Sequence, residues 1–120
     1  MILVVGGIAS GKRTYLRSLG FKDEEMADGV LDGRPVVVNA QELVHATDGE
    51  LGGKGPLPEG LVEALAEKQA VACIEVGSGV VPLDRGERAW RERAGRLTCE
   101  LAQRADHVVR MVCGIPVELK

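Results

Sequence analysis

Ile2-Leu3-Val4-Val5-Gly6-Gly7-Ile8-Ala9-Ser10-Gly11-Lys12 is the stretch that decides how the rest of this 120-residue chain is read. The apolar run Ile2–Val5 stops at two glycines, as a short buried strand does. After Gly11 the spacing lengthens: Tyr15, Leu16 and Leu19 lie on one helical face, and Gly20 ends the helix. Between strand and helix, Gly6, Gly7, Ile8, Ala9, Ser10, Gly11 and Lys12 fit G-x-x-x-x-G-K. Glycines let successive backbone N–H groups turn inward around a phosphate, and Lys12 is placed to reach the outer phosphates. Strand, loop and helix fall in the order that such a loop needs, so phosphate binding is the first expectation.

Working outward, strands alternate with helices. Gly33-Arg34-Pro35 is a turn and Val36–Val38 a second strand; Gln41–Ala46 reads as a short helix. Asp48–Glu59, with four glycines and two prolines, reads as a loop inside one domain. Leu61, Val62, Leu65 and Ala66 give a helix and Ala70–Val76 a third strand. Gly77-Ser78-Gly79 turns the chain into the longest helix, Glu87 to Arg104, whose apolar stripe is Trp90, Ala94, Leu97 and Leu101. Strands Val108–Cys113 and Pro116–Leu119, separated by Gly114-Ile115, close the chain as an edge hairpin. The fold class is therefore α/β: one three-layer domain of the P-loop NTPase type over residues 1–120, with a mainly parallel sheet.

Composition agrees. Hydrophobic residues make up 45% and aromatics 2%, so the core must be aliphatic, which suits a sheet buried on both faces. One Phe, one Trp and one Tyr cannot build a base-stacking platform, and a net charge of −3 gives no general attraction to nucleic acid or anionic lipid. Neither nucleic acid nor membrane is expected as a partner. The apolar start is too short for a signal peptide or a spanning helix. Cys73, Cys99 and Cys113 form no C-x-x-C pair and read as buried free thiols. The expected location is cytoplasmic.

The loop motif then departs from its usual continuation. A Ser or Thr hydroxyl that holds Mg²⁺ normally follows the lysine, but position 13 is Arg, and Thr14 comes one residue too late, about 100° further round the helix. The Val36–Val38 strand ends at Asn39, where many such enzymes carry an Asp for the metal. Thr14 and Asn39 are the candidate metal residues, and the loss of both usual anchors puts a Mg²⁺ requirement in question.

The second half of the chain carries a resemblance. Glu75-Val76-Gly77-Ser78-Gly79-Val80-Val81-Pro82 resembles the N-E-V-G-x-G-I-V-P block of the adenosylcobinamide kinase/adenosylcobinamide-phosphate guanylyltransferase family. Arg88-x-Trp90-Arg91-Glu92 is similar to that family's R-x-F-R-D. Gly95-Arg96-Leu97-Thr98-Cys99 stands where G-R-x-N-Q is usual, and Leu101-Ala102 through Gly114-Ile115-Pro116 to Lys120 resembles its ending. Gly6-Gly7-x-x-Ser10-Gly11-Lys12 is similar to its G-G-x-R-S-G-K. The middle departs: family members are longer and carry H-R-x-x-R-P, whose histidine accepts the guanylyl group. Arg34-Pro35 matches the end of that stretch, but Val30 stands where the histidine would fall, and His45 and His107 lie elsewhere.

The resemblance implies a cobalamin-biosynthesis protein that binds ATP or GTP, takes adenosylcobinamide as phosphoryl acceptor and forms a homo-oligomer. Catalysis would rest on Lys12 and Glu75, the latter as a base or a metal ligand. The nucleotide would be held by Gly6–Lys12 with Arg13 and Thr14, helped by Arg88 or Arg91. The arginines of the long helix read equally well as a solvated face. Asp84 reads as an N-cap or a site residue. A non-catalytic module that binds nucleotide or corrinoid is the rival expectation.

Overall fold

A computed structural model describes residues 1–47, 57–75 and 85–120, without the side chains of 45–47 and 85–89. Its elements in chain order are β1 (Ile2–Gly6), α1 (Lys12–Ser18), a 3-10 turn (Asp23–Glu25), β2 (Met26–Asp28), β3 (Val36–Val38) and a second 3-10 segment (Ala40–Thr47). Then come α2 (Leu61–Ala66), β4 (Ala70–Ile74), α3 (Arg85–Arg104), β5 (His107–Val112) and β6 (Ile115–Glu118). The six strands form one sheet in the order β2-β3-β4-β1-β5-β6. Every neighbouring pair is parallel except β5 with β6.

The aliphatic strands divide their side chains between two cores, as the two-residue period of a strand requires. Leu3, Val5, Val37, Val71, Cys73 and Val108 face one side, where Leu61, Leu65, Ala94, Leu97 and Leu101 from α2 and α3 cover them. Val4, Val36, Val38, Ala72, Val109 and Met111 face the other, where Leu16 of α1 packs with Tyr15 and Phe21. The predicted stripe of α3 is confirmed in Ala94, Leu97 and Leu101; Trp90 packs beside them and donates from Nε1 to the Gln41 carbonyl at 3.1 Å.

Several sequence expectations need correction. β2 was not foreseen: it is three residues long, too short to show a period. The segment after Asn39 is helical as expected but wound as 3-10. The closing hairpin turns one residue earlier, at Cys113-Gly114, because Val112 pairs directly with Ile115. A two-residue hairpin turn needs positive φ at both positions, and Cys113 (51°) and Gly114 (79°) supply it. Only Cys73 is a buried thiol; Cys99 and Cys113 are exposed. Burial pushes the Cys73 thiol up to about 12, which keeps it in the unreactive protonated form. The Gly77-Ser78-Gly79 turn, Asp84 and most of the Asp48–Glu59 loop lie outside the described residues.

Candidate functional site

The chain leaves β1, builds β2, β3 and β4 on one side, then crosses to β5 on the other. β1 is thus flanked by β4 and β5, and the carboxyl end beside it is a topological switch point, where open α/β sheets bind their ligands. The Gly6–Lys12 loop leaves β1 at this edge. A cavity of about 400 Å³ opens beside it, lined by Ala9, Ser10, Gly11, Lys12, Arg13, Thr14, Val38, Asn39 and Ala72. Ala9–Lys12 of the predicted loop, with Arg13 and Thr14 of α1, therefore share one hollow with the end of β3.

The loop's shape comes from a few constraints. Ser10 N–H donates to the Gly7 carbonyl at 3.3 Å, closing a turn, and Ala9 takes φ 57°. Gly11 takes φ 94°, a left-handed value where a side chain is strained. A Cβ there would also come within 3.2 Å of the Gly114 Cα. The hairpin turn is itself tied to the loop, since Gly114 N–H donates to the Ser10 carbonyl at 3.0 Å. A Cβ on Gly6 would overlap the Ser10 hydroxyl. That hydroxyl is buried and has no hydrogen-bond partner among the described residues, so the loop holds an unspent polar atom.

Lys12 curls back over its own loop, donating from Nζ to the Gly7 carbonyl at 2.6 Å and the Gly6 carbonyl at 3.2 Å. Partial burial holds its ammonium below the usual lysine range. Arg13 points sideways, its Nη2 2.5 Å from Oδ2 of Asp28. Asp28 is a site residue that sequence reasoning does not single out. Its Oδ1 accepts from Asn39 Nδ2 at 2.7 Å, so it joins the two positions at which the motif departs. No local pattern marks it; the contact spans the connection from α1 to β2 and only the fold makes it.

Glu75 lies just past β4 on the same edge. Its backbone N–H donates to the Gly6 carbonyl at 2.7 Å, and its carboxylate accepts from Arg110 Nε at 3.1 Å. Thr14 lines the cavity; Arg91 is half-buried on α3 and is not among the residues lining it. The side chain of Arg88 is outside the described residues. Arg34, the residue that matches the family's R-P pair, precedes β3 and so sits at the opposite, amino-terminal edge. There it pairs with Asp32 at 2.7 Å and holds that carboxyl down to about 2. His107 opens β5 at that same far edge, 3.8 Å from Glu118.

The residues present do not fit the usual magnesium site. Arg13 sets a positive charge where a hydroxyl ligand would stand, and Asn39 turns its N–H, not its oxygen, toward the carboxylate of Asp28. Among the described residues no group of three or more His, Cys, Asp or Glu is arranged to hold a metal. Among the same residues no helix is long and apolar enough to cross a membrane.

Fold and edge together define an α/β protein with a mainly parallel sheet and a glycine-lysine loop at its carboxyl end. The chain belongs to the cobinamide kinase / cobinamide phosphate guanyltransferase family, whose model matches residues 58–119. It is similar to the bifunctional adenosylcobalamin biosynthesis protein CobU of Salmonella typhimurium, 43% identical over 53 residues. That match covers 44% of this chain and 29% of the relative, so it spans less than a third of that protein's length. The match to the family model begins beyond the glycine-lysine loop, which therefore stands on its own geometry.

Proposed function

We propose that residues 1–120 form one nucleotide-binding unit of the three-layer P-loop type that holds ATP or GTP at Gly6–Thr14 and acts in cobalamin biosynthesis as a cobinamide kinase. The observation that carries this is the loop itself: a complete glycine-lysine motif beside a cavity at the carboxyl edge of the sheet, in a chain of this family. Lys12 would stabilise charge on the transferring phosphoryl group. Glu75, if Arg110 releases it, would accept the proton of the substrate hydroxyl. A second reading, a binding module without turnover, is favoured by Arg13 and Asn39 at the positions where the metal's ligands belong.

Calorimetry with ATP and GTP, followed by mass analysis of adenosylcobinamide incubated with each, separates the two. Binding with a phosphorylated product supports the kinase; binding without product supports the module; no binding of either nucleotide removes both. Guanylyl transfer is not expected in either case. A covalent guanylyl-histidine needs a nucleophilic nitrogen at the nucleotide, and Val30 occupies the matching position while His107 stands at the far edge. Protein incubated with α-labelled GTP should therefore give no labelled band on a denaturing gel. A band that His45→Ala or His107→Ala abolishes would show the nucleophile to lie elsewhere.

The oligomer implied by the family finds support in the outer hairpin. Val112, Ile115, Val117 and Leu119 share one face of β5–β6 and are all more than 40% exposed. A row of that kind on an edge strand is costly to leave in water. Light scattering is expected to give a mass above that of one chain, and Val117→Lys with Leu119→Lys to lower it; a monomeric wild type removes the expectation.

A further inference from the structure

The polar groups along the carboxyl edge form one directed chain. Ile74 N–H at the end of β4 donates to Gln41 Oε1 at 3.0 Å, and Gln41 Nε2 donates to Asn39 Oδ1 at 3.2 Å. Asn39 Nδ2 donates to Asp28 Oδ1 at 2.7 Å, and Arg13 Nη2 meets Asp28 Oδ2 at 2.5 Å. Gln41 is 6% exposed and sits at the inner end, so the chain is anchored on the sheet. Asn39 takes φ 52°, a left-handed value that asparagine tolerates better than most residues. That backbone turn sets the amide between Gln41 and Asp28. Its oxygen accepts from Gln41 while its N–H donates to Asp28, and the two contacts together fix which way the amide faces.

We infer that Arg13 is the resident cation of this phosphate site and that Asp28, braced by Asn39, is the residue that positions it, so that polyphosphate binds here without a divalent metal. The inference rests on the phosphate-loop reading above. A guanidinium has five N–H donors in a planar fork, and the contact with Asp28 leaves others to meet phosphate oxygens across the cavity that Arg13 and Asn39 both line. Lys12 and Arg13 against Asp28 leave the hollow net positive, which suits an anion. A divalent ion placed there would meet the guanidinium at short range and compete with it and with Asn39 for Asp28, each of whose oxygens already accepts a hydrogen bond. Arg13 and Asp28 are exposed at 41% and 57%, so the pair adds little to folding and its removal is a clean test of binding.

The test is calorimetric titration of the full chain with inorganic tripolyphosphate, in EDTA and in MgCl₂. Wild type should bind with similar affinity in both. Arg13→Ser should bind roughly tenfold more weakly in EDTA, the scale of one charge-assisted contact, and regain affinity with MgCl₂ because Asp28 is then free to face a cation. Asp28→Asn in the Arg13→Ser background should abolish that gain. Asp28→Asn alone should weaken binding in EDTA while Asp28→Glu retains it, and the melting temperatures of all four variants should stay at the wild-type value. Binding by wild type only with MgCl₂ would overturn the inference and leave the phosphate loop standing. Unchanged or tighter binding in Asp28→Asn would overturn the positioning role. No binding in either buffer would remove the phosphate loop itself, and the inference with it.

Discussion

Lys12→Ala is expected to bind a nucleoside triphosphate at least ten times more weakly than the wild type. The ammonium is already inside the loop, donating to the Gly7 carbonyl at 2.6 Å, so an arriving phosphate meets a charge that is in place. Charge-assisted contacts of this kind are worth roughly 1.5–3 kcal/mol, which sets the tenfold floor. The same burial that holds the ammonium below the usual lysine range adds a pH signature. Phosphate pairs with the protonated form, so affinity should be full below Lys12's lowered pKa. It should begin to fall, as pH rises, earlier than an ordinary lysine would allow. In Lys12→Ala that alkaline decline should vanish. Equal affinity in the two proteins at neutral pH would sink the phosphate-loop assignment.

Gly11→Val should lose phosphate binding and stability together. At φ 94° a β-branched side chain is strained by about 1–3 kcal/mol, and its Cβ would press on backbone at Gly114, which cannot swing aside as a side-chain tip could. Relief requires the hairpin turn to give by a few tenths of an ångström, straining the bond from Gly114 N–H to the Ser10 carbonyl. Gly7→Ala is the matched control, since a Cβ there meets nothing within 4 Å. Thermal melts should show a clear drop for Gly11→Val and almost none for Gly7→Ala. A Gly11→Val protein with wild-type melting and wild-type affinity would mean that the loop does not need this backbone shape.

What the sequence made legible was whatever local chemistry determines. β1, β3 and β4 are uninterrupted aliphatic runs buried on both faces, α3 carries a helical stripe, and the loop announces itself through glycine and lysine. β2 was hidden because Met26 and Ala27 are too few to show a period; they are strand because β3 lies beside them in parallel register. Asp28 was hidden for the same reason, although it links Arg13 to Asn39, the two departures that sequence did expose. Glu75 was placed at the correct edge, but its partner Arg110 comes from β5, a strand on the opposite side of β1. Cysteine type alone cannot tell a core strand from a helix face or a hairpin tip, so Cys73, Cys99 and Cys113 read alike in the sequence.

The bond between Gly114 and Ser10 joins segments far apart in the chain, and that has a consequence for assembly. The loop residues leave the ribosome well before the β5–β6 turn that forms their outer wall, and β1 has a neighbour on both sides only once β4 and β5 have formed. Contacts so distant in sequence must be reached through large closures of the chain, which makes them late and slow events in folding. The phosphate hollow is thus begun well before it can be finished: until β5 and its turn are made, its backbone amides have no fixed geometry to offer a nucleotide. Ligand can stabilise the finished molecule but has little with which to template the nascent one.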